Sequence, residues 1–213
     1  MSFAIDIRIL GLLSSRLCHD LAGPIGAVNN GLEMLAEEDS GMYDEALELA
    51  VSTARRVSDV VRFYRLAYGK DGDRVGTDYS ELRDLTAALL SHTKIDLDWP
   101  VTSAPADAPH DLGKLLLNMI VIAKDSLSRG GKISVACSGE SGGIDAVVSA
   151  SGPGCELHEK SKPGLAEPVG LEDLEPQGGH SYFTKLLAQR LGGELSVSVP
   201  AAECLGIGVR LPT

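Results

Sequence analysis

The chain has 213 residues, of which 44% are hydrophobic and 23% charged, a composition that supports one large core or two small ones. Its formal charge of −11 excludes functions that depend on wrapping nucleic acid, which need clustered Lys and Arg, and disfavours docking to an anionic membrane. Protein partners are left as the expected class, above all those with a basic docking face.

The first predicted element is a helix from about Phe3 to Glu38. Leu17, Leu21, Val28 and Leu35 recur at three-and-four spacing, with Pro24 and Gly31 filling the remaining seam positions. Asp6 and Arg8 lie inside its apolar start, where a signal peptide would carry charge only beforehand. A cytoplasmic chain without a leader or membrane span is therefore expected. Asp39-Ser40-Gly41 breaks the pattern, and a second helix follows from about Tyr43 to Tyr68. Its apolar face holds Leu47, Ala50, Val51, Ala54, Val57, Val61 and Tyr64. Such a hairpin keeps an uncovered stripe, and pairing two copies buries both stripes in a four-helix bundle; a homodimer is expected.

Residues 1–69 thus form a helical hairpin, and the polar, glycine-rich run that follows, 70–77, reads as a linker. Residues 78–213 change to mixed helix and strand, the α+β pattern of a sheet covered by helices. Helices are predicted at Ser80–Ser91, Asp111–Ser128 and Ser181–Leu191, the last stopped by Gly192-Gly193. Strands are predicted at Ile95–Trp99, Lys132–Ser138, Ile144–Ala150, Glu194–Val199 and Gly206–Leu211, the second and third paired across a glycine-rich turn. A proline-containing stretch from Ser151 to Pro176 is expected to be irregular and either mobile or functional. Cys18, Cys137, Cys155 and Cys204 form no C-x-x-C pair and read as reduced thiols. His92, His110, His158 and His180 fall in loops or at helix ends, without ligand spacing to other His, Cys or acidic residues.

His19 stands out. With Leu17 and Leu21 facing the bundle interior, His19 projects to the opposite side with Ser15, Arg16, Ala22, Gly23 and Gly26. Small residues beside an exposed imidazole leave room for another protein. Pro24 removes a helical hydrogen bond one turn later and is expected to bend the helix. A neutral imidazole offers one ring nitrogen as nucleophile at cytosolic pH. Asp20 is either an orienting partner of that ring or a solvated helix-face carboxylate. Arg16, one turn before His19, is either a phosphate contact or a surface charge.

The string His19-Asp20-Leu21-Ala22-Gly23-Pro24-Ile25 resembles the H-box of two-component sensor histidine kinases. The longer run to Glu33 is similar to ChpT-type histidine phosphotransferases of alphaproteobacteria, and the resemblance extends over essentially the whole chain. It implies a fold with a dimerising hairpin followed by a histidine-kinase ATPase-like α/β sandwich. It implies that His19 takes a phosphoryl group from one receiver-domain aspartate and passes it to another. Asp20 would hold the second ring nitrogen and stabilise developing charge. Receiver domains of a hybrid kinase and of response regulators would be the partners, in a phosphorelay tied to cell-cycle control. Many such kinases carry Thr or Asn four residues after the histidine to position water; Gly23 stands there, so dephosphorylation through that residue is not expected.

The second domain departs from the kinase pattern at its nucleotide contacts. Lys114 to Ala123 resembles the N-box helix, but Ile122 replaces its second asparagine, and an apolar side chain cannot ligate magnesium. Val148 to Gly154 resembles the D-x-G-x-G element with Ala150 in place of the aspartate. Gly178-Gly179-His180-Ser181 corresponds to a G-x-G-L element without its second glycine. Asn118 reads as a capping or surface amide. The expectation is a phosphotransferase with no cofactor of its own, magnesium arriving in the receiver's acidic pocket. The alternatives are a divergent ATP-dependent histidine kinase and a non-catalytic, receiver-binding adaptor.

Overall fold

The computed structural model describes residues 6–36, 43–69, 78–100, 108–140 and 142–212. The expected linker, 70–77, and the turn at Asp39-Ser40-Gly41 lie outside them. Two long helices open the chain, α1 (Ile7–Ala36) and α2 (Tyr43–Tyr68). They run antiparallel, since Gly31 meets Ala46 and Ala50 at one end while Arg16 and Asp20 meet Tyr64 at the other. A methyl group at Gly31 would sit 3.1 Å from Ala50 Cβ, so the glycine sets how closely the helices approach. Pro24 is buried, and α1 passes through it as one element. Proline there leaves the Asp20 carbonyl without its usual helical donor.

The second half holds α3 (Tyr79–Leu90), β1 (Ile95–Asp98), α4 (Leu112–Asp125), β2 (Gly131–Glu140), β3 (Gly143–Ser151), α5 (Lys162–Leu165), α6 (Pro176–Arg190), β4 (Glu194–Ser198) and β5 (Cys204–Leu211). Asp78 caps α3, its carboxylate accepting from the Ser80 and Glu81 amides. The sheet order is β1-β2-β3-β5-β4, with β1 parallel to β2 and every other pair antiparallel. The expected pairing across the glycine turn is present, with Val135 opposite Val148. Alternate residues of β3 and β5 (Ile144, Ala146, Val148, Ala150; Leu205, Ile207, Val209, Leu211) are buried toward the helices. The result is the two-layer sandwich that the sequence predicts.

Two expectations about element boundaries need correction. The last helix begins at Pro176, not Ser181, so Gly178 and Gly179 lie inside α6 rather than in a loop. Glycine reads as a helix breaker, yet here it permits contact: a methyl at Gly179 would sit 2.7 Å from Leu12 Cβ, and one at Gly164 would lie 2.0 Å from the Gly178 carbonyl. Proline at the first helical turn suits the start. The stretch expected to be irregular also contains α5 and two short 3₁₀ turns, at Glu159–Ser161 and Leu171–Asp173.

Hairpin and sandwich share one core. Ile9 and Leu13 of α1 and Val60, Phe63, Leu66 and Ala67 of α2 join the same buried cluster as Leu115, Met119 and Ile122 of α4. Polar groups fasten this seam. Asn118, a capping or surface amide by expectation, is fully buried and donates from Nδ2 to the Ala67 and Lys114 carbonyls at 2.8 Å each. His180 is not at a loop either. It is fully buried within α6, with Nε2 3.0 Å from the Asn118 carbonyl and Nδ1 2.9 Å from the Tyr68 hydroxyl. A carbonyl only accepts, so Nε2 carries the proton and Nδ1 accepts from Tyr68.

Burial, reinforced by the Arg16 and Lys124 charges, holds the His180 pKa well below its ordinary value despite the stabilising Asn118 carbonyl. The unfolded chain therefore binds a proton below about pH 6.5 that the folded chain refuses. From this residue alone, stability is unaffected above that pH and falls by up to about 1.4 kcal/mol per unit below it. Urea unfolding followed between pH 7.5 and 5.5 should show that decline in the wild type and a flatter line in His180→Gln.

Candidate functional site

His19 sits on α1 with 86% of its side chain exposed, as the sequence predicts. Its Nδ1 is 3.4 Å from Asp20 Oδ1, a long contact between sequence neighbours that leaves Nε2 toward solvent. Asp20 is mostly covered, at 23% exposure, and the Tyr64 hydroxyl on α2 donates to its Oδ2 at 2.5 Å. Adjacent helical side chains do not face each other squarely, so the carboxylate needs an external anchor to stay beside the imidazole. Tyr64 provides it. Burial by itself would raise the Asp20 pKa, but the Lys124 charge, the Tyr64 hydrogen bond, the Arg16 charge and the His19 contact together hold it below the usual carboxylate value.

Arg16 is the main correction. The face expected to project into solvent carries it inward instead: only 5% of its side chain is exposed. Its Nη2 donates to both oxygens of Asp125, at 2.8 and 2.6 Å, and Nε lies 3.4 Å from the Tyr64 hydroxyl. Nη1 is buried without a hydrogen-bond partner. The cause is that α1 serves two interfaces. Ile9, Leu13 and Arg16 turn toward the second domain, while Leu17 and Leu21, the expected interior positions, are only partly covered. Ser15, Ala22 and Gly23 are exposed beside His19, and Gly26 is half-buried.

The second domain closes one side of this site. A cleft of about 440 Å³ runs between the elements, lined by Ser15, Arg16, His19 and Asp20 of α1, Lys124 and Asp125 at the end of α4, and Lys160, Glu175, Pro176 and Gln177. Lys160 and Glu175 pair across 2.6 Å within the lining. Tyr64, Lys124 and Asp125 are the site residues that motif reading misses. One signal was available: Lys124-Asp125 ends a helix otherwise apolar from Met119 onward.

The positions that correspond to nucleotide contacts do not fit a nucleotide or its magnesium. Ile122 and Ala150 are both 1% exposed and packed in the core, Gly178 and Gly179 are helical, and both Asn118 amide hydrogens have carbonyl acceptors.

A helical hairpin that displays an imidazole above a five-stranded α/β sandwich has the architecture of a histidine phosphotransfer protein. Known proteins agree. The family model of the histidine phosphotransferase C-terminal domain matches residues 79–203. The protein phosphotransferase ChpT of Brucella abortus (strain 2308) is 32% identical over 95% of this chain and 97% of its own length. A bacterial phosphotransferase of known structure superposes with a TM-score of 0.79 at 28% identity, covering 98% of both chains. The histidine kinase AdeS of Acinetobacter baumannii is more distant, with a TM-score of 0.48 at 14% identity over 91% of this chain and 97% of that one. The chain belongs to the histidine phosphotransferase family, of the ChpT type, and acts as a phosphotransferase in two-component phosphorelay signalling.

Removing the Tyr64 hydroxyl tests the anchor. In Tyr64→Phe the Asp20 carboxyl should titrate higher than in the wild type, read by carbon-detected NMR of side-chain carboxylates. Loss of a hydrogen bond to a charged acceptor should cost about 1.5–3 kcal/mol in chemical unfolding. An unchanged Asp20 titration would show that Tyr64 does not hold it.

Proposed function

We infer that His19 is the phosphoryl carrier, taking the group from a phosphorylated receiver aspartate and delivering it to the aspartate of another receiver. The observation that supports this best is an imidazole exposed over most of its surface whose Nδ1 is backed by an anchored carboxylate. Nε2 attacks phosphorus, the bond to the aspartyl oxygen breaks, and its electron pair leaves with the receiver's carboxylate. The positive charge left on the ring is shared through Nδ1–H with Asp20 until that proton is lost or the group moves on. Ser15, Ala22, Gly23 and Gly26 supply the low-relief surface against which a receiver docks. Donor and acceptor are a hybrid kinase's receiver and the receivers of response regulators, and magnesium is contributed from the receiver's acidic pocket. Transfer then rests on positioning and charge neutralisation.

This reading predicts label on His19 from a phosphorylated receiver, none on His19→Ala, and none from γ-labelled ATP alone. Label from ATP alone would mark an ATP-dependent kinase. Receiver binding that survives His19→Ala, without transfer by the wild type, would mark an adaptor.

The functional unit in this reading is a homodimer in the cytoplasm. Support comes from apolar side chains left uncovered along the hairpin: Leu10, Ile25 and Leu32 on α1 and Leu47, Val51 and Val61 on α2, all exposed. Leu47, Val51, Ala54 and Val61 follow the three-and-four spacing of a helical seam. Among the described residues no helix is long and apolar enough to cross a membrane, and the four cysteines are unpaired thiols. Val51→Glu should shift the protein from dimer to monomer in sedimentation velocity; a wild type that sediments as a monomer would remove the dimer from the account.

A further inference from the structure

Six charged side chains line the cleft beside His19 or stand at its rim, and their pairing is uneven. Arg16 is locked to both oxygens of Asp125. Lys160 is 2.6 Å from Glu175. Asp20 faces His19 and accepts from Tyr64. Lys124 differs from the other two cations. Its ammonium lies 3.7 Å from Asp125 Oδ1, beyond hydrogen-bond reach, and that oxygen already accepts from Arg16 at 2.8 Å. It retains partial exposure, 23%, and lines the same cleft as His19. Its charge is also the largest influence lowering the Asp20 pKa, which places the ammonium within electrostatic reach of the carboxylate beside the imidazole.

A phosphoryl group on His19 brings negative charge next to the Asp20 carboxylate. Uncompensated, the two repel, and the transferring group spreads its own charge over three oxygens. Something positive must answer it. Arg16 cannot turn outward without abandoning Asp125 in a buried site, which excludes the residue that spacing along α1 singled out. The cation available is on the other domain.

We propose that Lys124 binds the phosphoryl group carried on His19 and neutralises its charge during transfer. The site is composite: α1 holds the nucleophile, and the last turn of α4 holds the cation. The buried Arg16–Asp125 pair fixes the distance between them. The second domain therefore contributes a residue to the chemistry, although its nucleotide contacts are replaced. This inference rests on His19 being the carrier.

Phosphoramidate tests it on the full-length protein without a receiver. Its P–N bond breaks as His19 Nε2 attacks phosphorus, and ammonia leaves with the bonding pair. The expected result is labelling of Lys124→Gln roughly 10- to 100-fold slower than wild type, with Lys124→Arg restored to within about threefold because either cation can bind the anion. Phosphorus NMR of the labelled protein should show the phosphoryl group titrating at higher pH in Lys124→Gln than in the wild type, since a lost neighbouring cation disfavours the dianion. A merely structural lysine would leave that titration unmoved. The proposal is overturned if Lys124→Gln labels at the wild-type rate, if its phosphoryl titration is unchanged, or if Lys124→Arg is as slow as Lys124→Gln. A wild-type His19 that takes no label overturns the carrier assignment itself and this inference with it. A labelled His19 indifferent to residue 124 overturns this inference alone.

Discussion

The Arg16–Asp125 ion pair is the constraint on which the rest of the site depends. It joins the first helix to the second domain with both partners nearly closed to solvent, 5% and 13% exposed. A pair in such a place gains little net stability from its own attraction, because both ions have been taken out of water. Its strength lies in the penalty for separation: either ion left alone costs about 3–5 kcal/mol. The pair acts as a registry pin. From it the Tyr64 hydroxyl is held between Arg16 and Asp20, Asp20 is held beside the imidazole, and Lys124 is left over the cleft.

This arrangement gives the α/β sandwich a role that nucleotide binding does not require. Positions corresponding to adenine and magnesium contacts hold apolar core residues, Ala150 and Ile122. Asn118 and His180 bond to the end of α2 through the Ala67 carbonyl and the Tyr68 hydroxyl. Polar groups that would serve a ligand in an open pocket serve a domain seam instead. Buried and bonded across the seam, they specify one orientation of hairpin against sheet, because sliding either body would break several of these bonds at once.

Much of this was legible in the sequence, and the parts that were not share a cause. Strand pairs, helices and the exposed histidine follow from local periodicity and turn chemistry, which one segment contains in full. His19 was found because its motif is contiguous. Arg16 was misplaced because α1 packs on two sides, toward α2 and toward α6, and a single seam assigned from Leu17 and Leu21 turns the arginine outward. Asn118 and His180 were passed over for a related reason: each is ordinary in its own helix, and the partners that tie it to the hairpin lie 51 and 112 positions away. The start of α6 was hidden by Gly178 and Gly179, whose value lies in close approach to another element and not in local propensity.

The common core has a consequence for how such a protein can be divided. Ile9, Leu13, Phe63 and Leu66 find their apolar surroundings partly in the sandwich. A fragment ending near residue 69 would therefore present an oily base to water, and a sandwich cut free of the hairpin would lose one wall of its interior. The histidine therefore rides on a platform whose two parts complete one another's interior.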